Sequence, residues 1–269
     1  LIPASLQPIH TTRTAMATDS TFEEDVIYLW RTLRSVVLVL VFIFGAIITS
    51  LIVGYVGIVI LDQAYPVAQQ SETARFLASA AFSELGYAIF VGGLLYWKTD
   101  LLPTGLRFRR PTRRDARWIL GGILVMIVTE YVLTSLFTFF NVPTAQNAAA
   151  IEATKHASLP MFGGLIVVSL LITGPCEEIL FRGLIQGYLR RYFSTIGAIL
   201  LASLFFASVH LFALQGSLSG IRNVLLSLFA LSLILGFAYE RTDSLLVPIL
   251  IHGSYNAILF ANLGLTNLY

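Results

Sequence analysis

Glu177 and Glu178 are adjacent in an apolar run, Ile172-Thr173-Gly174-Pro175-Cys176-Glu177-Glu178-Ile179-Leu180-Phe181-Arg182-Gly183. An ionisable side chain at the centre of a bilayer helix costs about 2.5–3.5 kcal/mol on insertion scales. Such residues persist where they pair, face a wet cavity or do chemistry. Glu178 and Arg182 are four apart, so on a helix they share a face, with the acid before the base, the favourable order. That spacing reads as a buried ion pair. Glu177 points about 100° away from Glu178 and has no partner on its own helix. Pro175 after Gly174 reads as a break or kink. A new helix start there would set both acids where the helix dipole favours carboxylates.

Other apolar stretches carry the remaining pieces. His210 follows Phe206 by four residues, and Asn256 follows His252 by four, so each pair shares a helix face. A lone His in an apolar helix is more often a satisfied interior residue than a catalyst. Two of them, with an unpaired Glu and an Asn, favour a site. The set suits peptide hydrolysis: Glu177 as general base on a water, and His210 holding that water and assisting proton transfer. His252 and Asn256 would donate hydrogen bonds to the developing oxyanion.

The elements that position these residues are membrane helices. Of 269 residues, 57% are apolar and 12% charged, against about 25% charged in a typical soluble domain. Seven stretches are long enough for the ~20 residues that cross a bilayer: about 35–61, 76–97, 118–140, 161–182, 196–214, 223–239 and 244–263. They lack the alternation of a membrane barrel, so the fold expected is an all-α polytopic bundle of seven to eight spans. Residues 1–34 read as a polar N-terminal tail, with Met16 a candidate start, and 35–269 as one transmembrane domain. With the N-terminal end inside, thirteen Lys and Arg lie inside (13, 31, 34, 98, 107, 109, 110, 113, 114, 117, 190, 191 and 241) and three outside, Arg75, Lys155 and Arg222. The positive-inside rule then makes the N-terminus and the loop 98–117 cytoplasmic. That loop's basic face can meet anionic lipid head groups, and no nucleic acid is expected among the partners. The outer stretch 141–160 reads as a short interfacial helix. The single Cys176 excludes an intrachain disulfide.

Taken in order, Glu177-Glu178-x-x-x-Arg182, Phe206-x-x-x-His210 and His252-x-x-x-Asn256 resemble the CPBP family of intramembrane proteases, which includes CAAX prenyl endopeptidases and bacteriocin-processing relatives. The resemblance spans about residues 118–260. It implies a helical membrane fold with a conical interior cavity, usually of about eight spans, and endopeptidase activity on hydrophobic, lipidated or prenylated peptides. By the same resemblance Glu177 and His210 activate the water, His252 and Asn256 form the oxyanion hole, and Glu178 and Arg182 organise the site.

The same residues bear on other chemistries. Glu177, His210 and His252 are suitable zinc ligand types, but no H-E-x-x-H run is present, and activity without a permanently bound metal is favoured. Asp62, Asp100, Asp115 and Asp243 sit at span ends, which disfavours an aspartyl pair. Ser208 and Ser254 are each two residues from a His and face elsewhere. Cys176 reads as an inert buried thiol. Glu84 and Glu130, mid-span, fit either pairing or cavity lining and raise a proton-coupled transporter as the rival. A catalytically silent immunity or scaffold protein is a further alternative. Phe205, Phe206, Phe212 and Phe237 are candidates to line a groove for the apolar part of a substrate.

Overall fold

A computed structural model describes residues 13–65, 71–102 and 105–269. Eight helices account for nearly all of it: α1 (Arg13–Ala64), α2 (Glu72–Trp97), α3 (Arg113–Phe139), the short α4 (Ala148–Lys155), α5 (Leu159–Leu189), α6 (Thr195–Val209), α7 (Leu218–Thr242) and α8 (Leu246–Leu268). Seven of them, all but α4 and with α6 continued by a 3-10 turn to Ala213, are long and apolar enough to cross a membrane, and the chain is an integral membrane protein. They coincide with the seven stretches read from hydropathy. Neither the 141–160 stretch nor the region around Pro175 contributes an eighth crossing. At eight residues, α4 is about 12 Å long, well short of a ~30 Å hydrocarbon core.

Starts are marked by capping side chains. Ser71, Asn147, Ser158, Ser194 and Ser217 each accept a backbone N–H of the first turn, satisfying donors that no earlier carbonyl can reach. Thr112 and Asp115 form a reciprocal capping box at α3. The sequence from Arg13 to Phe44 has no Gly or Pro, so nothing interrupts a helix there. Residues 13–34, expected as a polar tail, accordingly form the first part of α1, and residues 1–12 of that tail lie outside the described residues. The Tyr28 hydroxyl reaches the Tyr192 carbonyl at 3.5 Å, so the end of the bundle falls close to Tyr28.

The long helix α5 runs through the middle. It packs on α2, α6 and α8, and the largest apolar cluster gathers around its Phe181, Leu184, Ile185 and Tyr188. The expected break at Pro175 does not occur, and with it goes the argument that a new helix start holds the acids. The chain stays helical from Leu159 to Leu189, with π-helical stretches at Ser169–Thr173 and Ile179–Gln186. A wider π turn directly before Pro175 accommodates the missing N–H and relieves the clash with the preceding turn. Opposite lipid, α1 and α3 expose large apolar residues such as Phe44, Leu51, Leu120 and Leu124, as expected of a bilayer-facing wall.

The two ends differ in how their connections are tied. At one end the segment 105–112 is fastened to the α7–α8 turn. Arg109 bonds Asp115 through both terminal nitrogens at 2.7 Å, Arg109 also donates to the Thr242 carbonyl, Arg107 pairs with Asp243, and the Leu245 amide donates to the Arg107 carbonyl. At the other end a two-residue antiparallel pair joins Gln146–Asn147 to Leu214–Gln215, and Asn223 donates to the Pro143 carbonyl.

Candidate active site

The site begins with two glycines. A Cβ on Gly174 of α5 would lie 3.0 Å from both Gly253 Cα and the Ile249 carbonyl oxygen, and one on Gly253 of α8 would lie 2.9 Å from the Ser169 carbonyl oxygen. Only residues without a Cβ allow the two backbones this close. Glu177 is one turn beyond Gly174 and His252 immediately precedes Gly253, so the contact brings carboxylate and imidazole together.

His252 lies between the two glutamates. Its Nδ1 is 2.9 Å from Glu178 Oε1 and its Nε2 is 3.9 Å from Glu177 Oε2. An ionised carboxylate only accepts, so Nδ1 carries a proton. Glu178 reaches Arg182 with its other oxygen, Oε2 to Nε at 3.2 Å, the i,i+4 pair expected from spacing. Both side chains are 0% exposed. Arg182 is held further by α7: Nη2 donates to the Ser232 carbonyl at 3.1 Å and to Ser232 Oγ at 3.0 Å. These bonds offset part of the cost of burying the pair, while Arg182 Nη1 has no hydrogen-bond partner among the described residues.

The polar seam continues. Gln186 donates to the Gly236 carbonyl at 3.1 Å and to Glu240 Oε1 at 2.9 Å, and Arg190 Nε lies 3.4 Å from Glu240 Oε2. Glu178, Arg182, Gln186 and Arg190 recur every four residues on α5, as do Ser232, Gly236 and Glu240 on α7. In a pure α-helix that spacing would drift about 40° per step. The π-helical stretch 179–186 takes more residues per turn and counters the drift, which keeps the series on one face.

Phe206 on α6 connects the remaining histidine. Its ring lies 5.0 Å beneath the Arg182 guanidinium, 4.7 Å from the His210 ring and 5.8 Å from the His252 ring. The His210 Nδ1 donates to the Phe206 carbonyl at 2.8 Å, leaving Nε2 unprotonated in the neutral ring. Glu177, His210, His252 and Asn256 all line one cavity of about 1090 Å³. Glu177 Oε2 is buried without a hydrogen-bond partner among the described residues. Its 3.9 Å separation from His252 Nε2 is too long for a hydrogen bond and short enough for one water to touch both.

All six residues singled out in the sequence therefore fall in this region. Four are joined by direct contacts and two by the shared cavity. Spacing did not reveal Ser232, nor Phe206 as the ring between the histidines. Glu84 and Glu130 also line the cavity, Glu84 with a buried Oε2 that has no hydrogen-bond partner among the described residues and Glu130 accepting from Thr134 at 3.3 Å. Of the four phenylalanines proposed for a substrate groove, Phe206 lines this cavity, Phe237 lines a separate groove, and Phe205 and Phe212 line neither.

The zinc alternative can be tested on the same geometry. The donor types suit the ion, and each histidine has its Nδ1 fixed by an acceptor, an arrangement common behind metal ligands. Yet among the described residues no three His, Cys, Asp or Glu side chains converge closely enough to hold one. No step is therefore routed through a metal.

Residues 160–258 match the family described as Type II CAAX prenyl endopeptidase Rce1-like. The matched stretch contains every residue of the three motifs, and it bears out the resemblance to the CPBP family. No curated protein and no solved structure matches the chain.

Proposed function

We propose that the chain is an intramembrane endopeptidase that hydrolyses hydrophobic or lipidated peptides with a glutamate-activated water. The observation that carries this reading is the free, buried oxygen of Glu177 facing His252 Nε2 inside a cavity. In the reaction, Glu177 takes a proton from water while the oxygen adds to the scissile carbonyl, and the proton passes to the leaving amine as the C–N bond breaks. His210 accepts a hydrogen bond from the same water through Nε2. The Asn256 amide and a doubly protonated His252 donate to the oxyanion. In that role His252 donates a hydrogen bond from Nδ1–H to Glu178, its counter-charge, and turns the Nε2–H to the cavity. Glu178 and Arg182 act as positioning residues, since neither touches the reacting atoms.

The distribution of basic residues supports a cytoplasmic N-terminus and a cytoplasmic 98–117 loop, with bilayer lipids covering α1 and α3. Purified protein should cleave quenched fluorescent peptides, drawn from apolar and prenylated series, and Glu177→Gln should slow the cleavage at least about 100-fold. Cleavage at an undiminished rate in Glu177→Gln would refute the assignment. Ion-dependent uptake into vesicles that is indifferent to Glu177→Gln would point to transport instead.

A further inference from the structure

The cavity has a direction. Its exposed polar lining residues (Thr134, Thr144, Asn147, Lys155, Gln215 and Asn262) gather at the end formed by α4 and the 146–147/214–215 pair, and an exposed apolar one, Leu259, lies on α8. Its buried lining, including Glu177, His252 and Leu231, lies midway along the helices. No described residue of 98–112, 190–194 or 241–245, the connections at the opposite end, lines it.

That opposite end is sealed. Leu106, Tyr239, Leu245 and Ile249 pack together beneath the site, and the Gln186, Arg190 and Glu240 contacts close the α5–α7 seam. A second groove, of about 920 Å³, does lie towards that end, between α3, α6 and α7, but it shares no lining residue with the site cavity.

The sealed end is also the basic one. Thirteen of the seventeen Lys and Arg belong to it, three belong to the open end, and Arg182 lies between. An asymmetry of this size in short connections orients a membrane protein with the basic end in the cytoplasm. The sealed floor and the charge bias are independent observations, and together they fix which side feeds the site.

We infer that the cavity opens away from the cytoplasm, so that its substrate is a peptide segment presented from the extracytoplasmic side, either an exported peptide or the outer flank of a membrane-spanning protein. The inference rests on the peptidase reading for the word substrate and on geometry and charge alone for the side. The mouth fits such a segment. Thr144, Asn147, Gln215 and Asn262 offer neutral hydrogen-bonding groups, and the apolar walls behind them, Leu228 and Leu231 among them, suit an uncharged stretch that must leave water to reach Glu177.

The test separates side from chemistry. In a Cys176→Ala background, Asn147→Cys and Gln215→Cys at the mouth, Leu228→Cys on the wall and Arg191→Cys at the sealed end are made in the full chain and expressed in intact bacterial cells. A membrane-impermeant maleimide should label the two mouth positions and Leu228→Cys from outside, and Arg191→Cys only after permeabilisation. Introducing Glu177→Gln should leave this pattern unchanged. The reverse pattern, or equal labelling of both ends, overturns the inference. In the same cells, Glu177-dependent cleavage sites should map to extracytoplasmic segments, and sites confined to cytoplasmic or prenylated C-termini would also overturn it. Loss of every Glu177-dependent cleavage with the labelling pattern intact would refute the peptidase reading alone.

Discussion

Glu177 and Glu178 are neighbours in the chain and opposites in the fold. Glu178 is fully enclosed, with one oxygen on His252 and the other facing Arg182, which Ser232 holds in turn. Glu177, a step of about 100° round the same helix, turns an unbonded oxygen into the cavity. The difference separates two tasks. A carboxylate enclosed between a guanidinium and an imidazole fixes geometry, whereas one that lines a sheltered cavity retains a lone pair for a water or a substrate. Burying both in one way would leave either no base or no scaffold.

If this division holds, exchanging one carboxylate for an amide should give unlike outcomes at the two positions. Glu177→Gln should lower kcat by about 10²- to 10⁴-fold, the usual contribution of a general base, with little change in thermal unfolding in detergent. A matching loss of stability would erase the contrast. On the scaffold side, Arg182→Leu leaves Glu178 buried without its counter-charge and should destabilise the fold by about 3–5 kcal/mol. The double replacement Glu178→Met with Arg182→Leu should recover much of that stability while activity stays low, because His252 loses its Nδ1 acceptor. Denaturant unfolding and peptide cleavage on the same preparations separate the two effects.

Smaller changes sharpen the boundary. Asn256→Ala should cost about 10²- to 10³-fold in kcat, the range for one oxyanion donor, with KM less affected. Ser232→Ala removes a hydrogen bond to a charged group and should cost about 1.5–3 kcal/mol of stability while sparing most of kcat. The smallest effect belongs to the metal question. Dialysis against a zinc chelator should leave cleavage unchanged, and loss of activity restored by zinc would reinstate Glu177, His210 and His252 as ligands.

Much of this was legible in the sequence, for reasons that are local. Hydropathy and length marked all seven spans, because a bilayer imposes one rule on every crossing. The pairs Glu178–Arg182 and Phe206–His210 were legible because helical spacing alone decides them. The 141–160 stretch was expected to hold a short helix, and α4 is that helix.

What lay beyond reach was set between helices. Nothing in the spacing tells which glutamate His252 will bond. That follows from the Gly174–Gly253 approach, which depends on how α5 and α8 cross. Ser232 was invisible as one serine among many, although the four-residue series on α5 and α7 was a readable sign that two polar faces meet. Pro175 misled because its rule concerns an ordinary α-helix, and the π turn ahead of it changes the backbone to which the rule applies. The length of α1 is not legible in the polar composition of residues 13–34, and the absence of Gly and Pro from 13 to 44 is the better guide.

The most direct measurement is a comparison of newly formed peptide termini in membranes from cells producing the wild-type chain and from cells producing Glu177→Gln at equal abundance. The account predicts a defined set of termini in the first that is missing from the second. Identical sets would mean that the free carboxylate at the centre of the bundle does not cut peptide bonds.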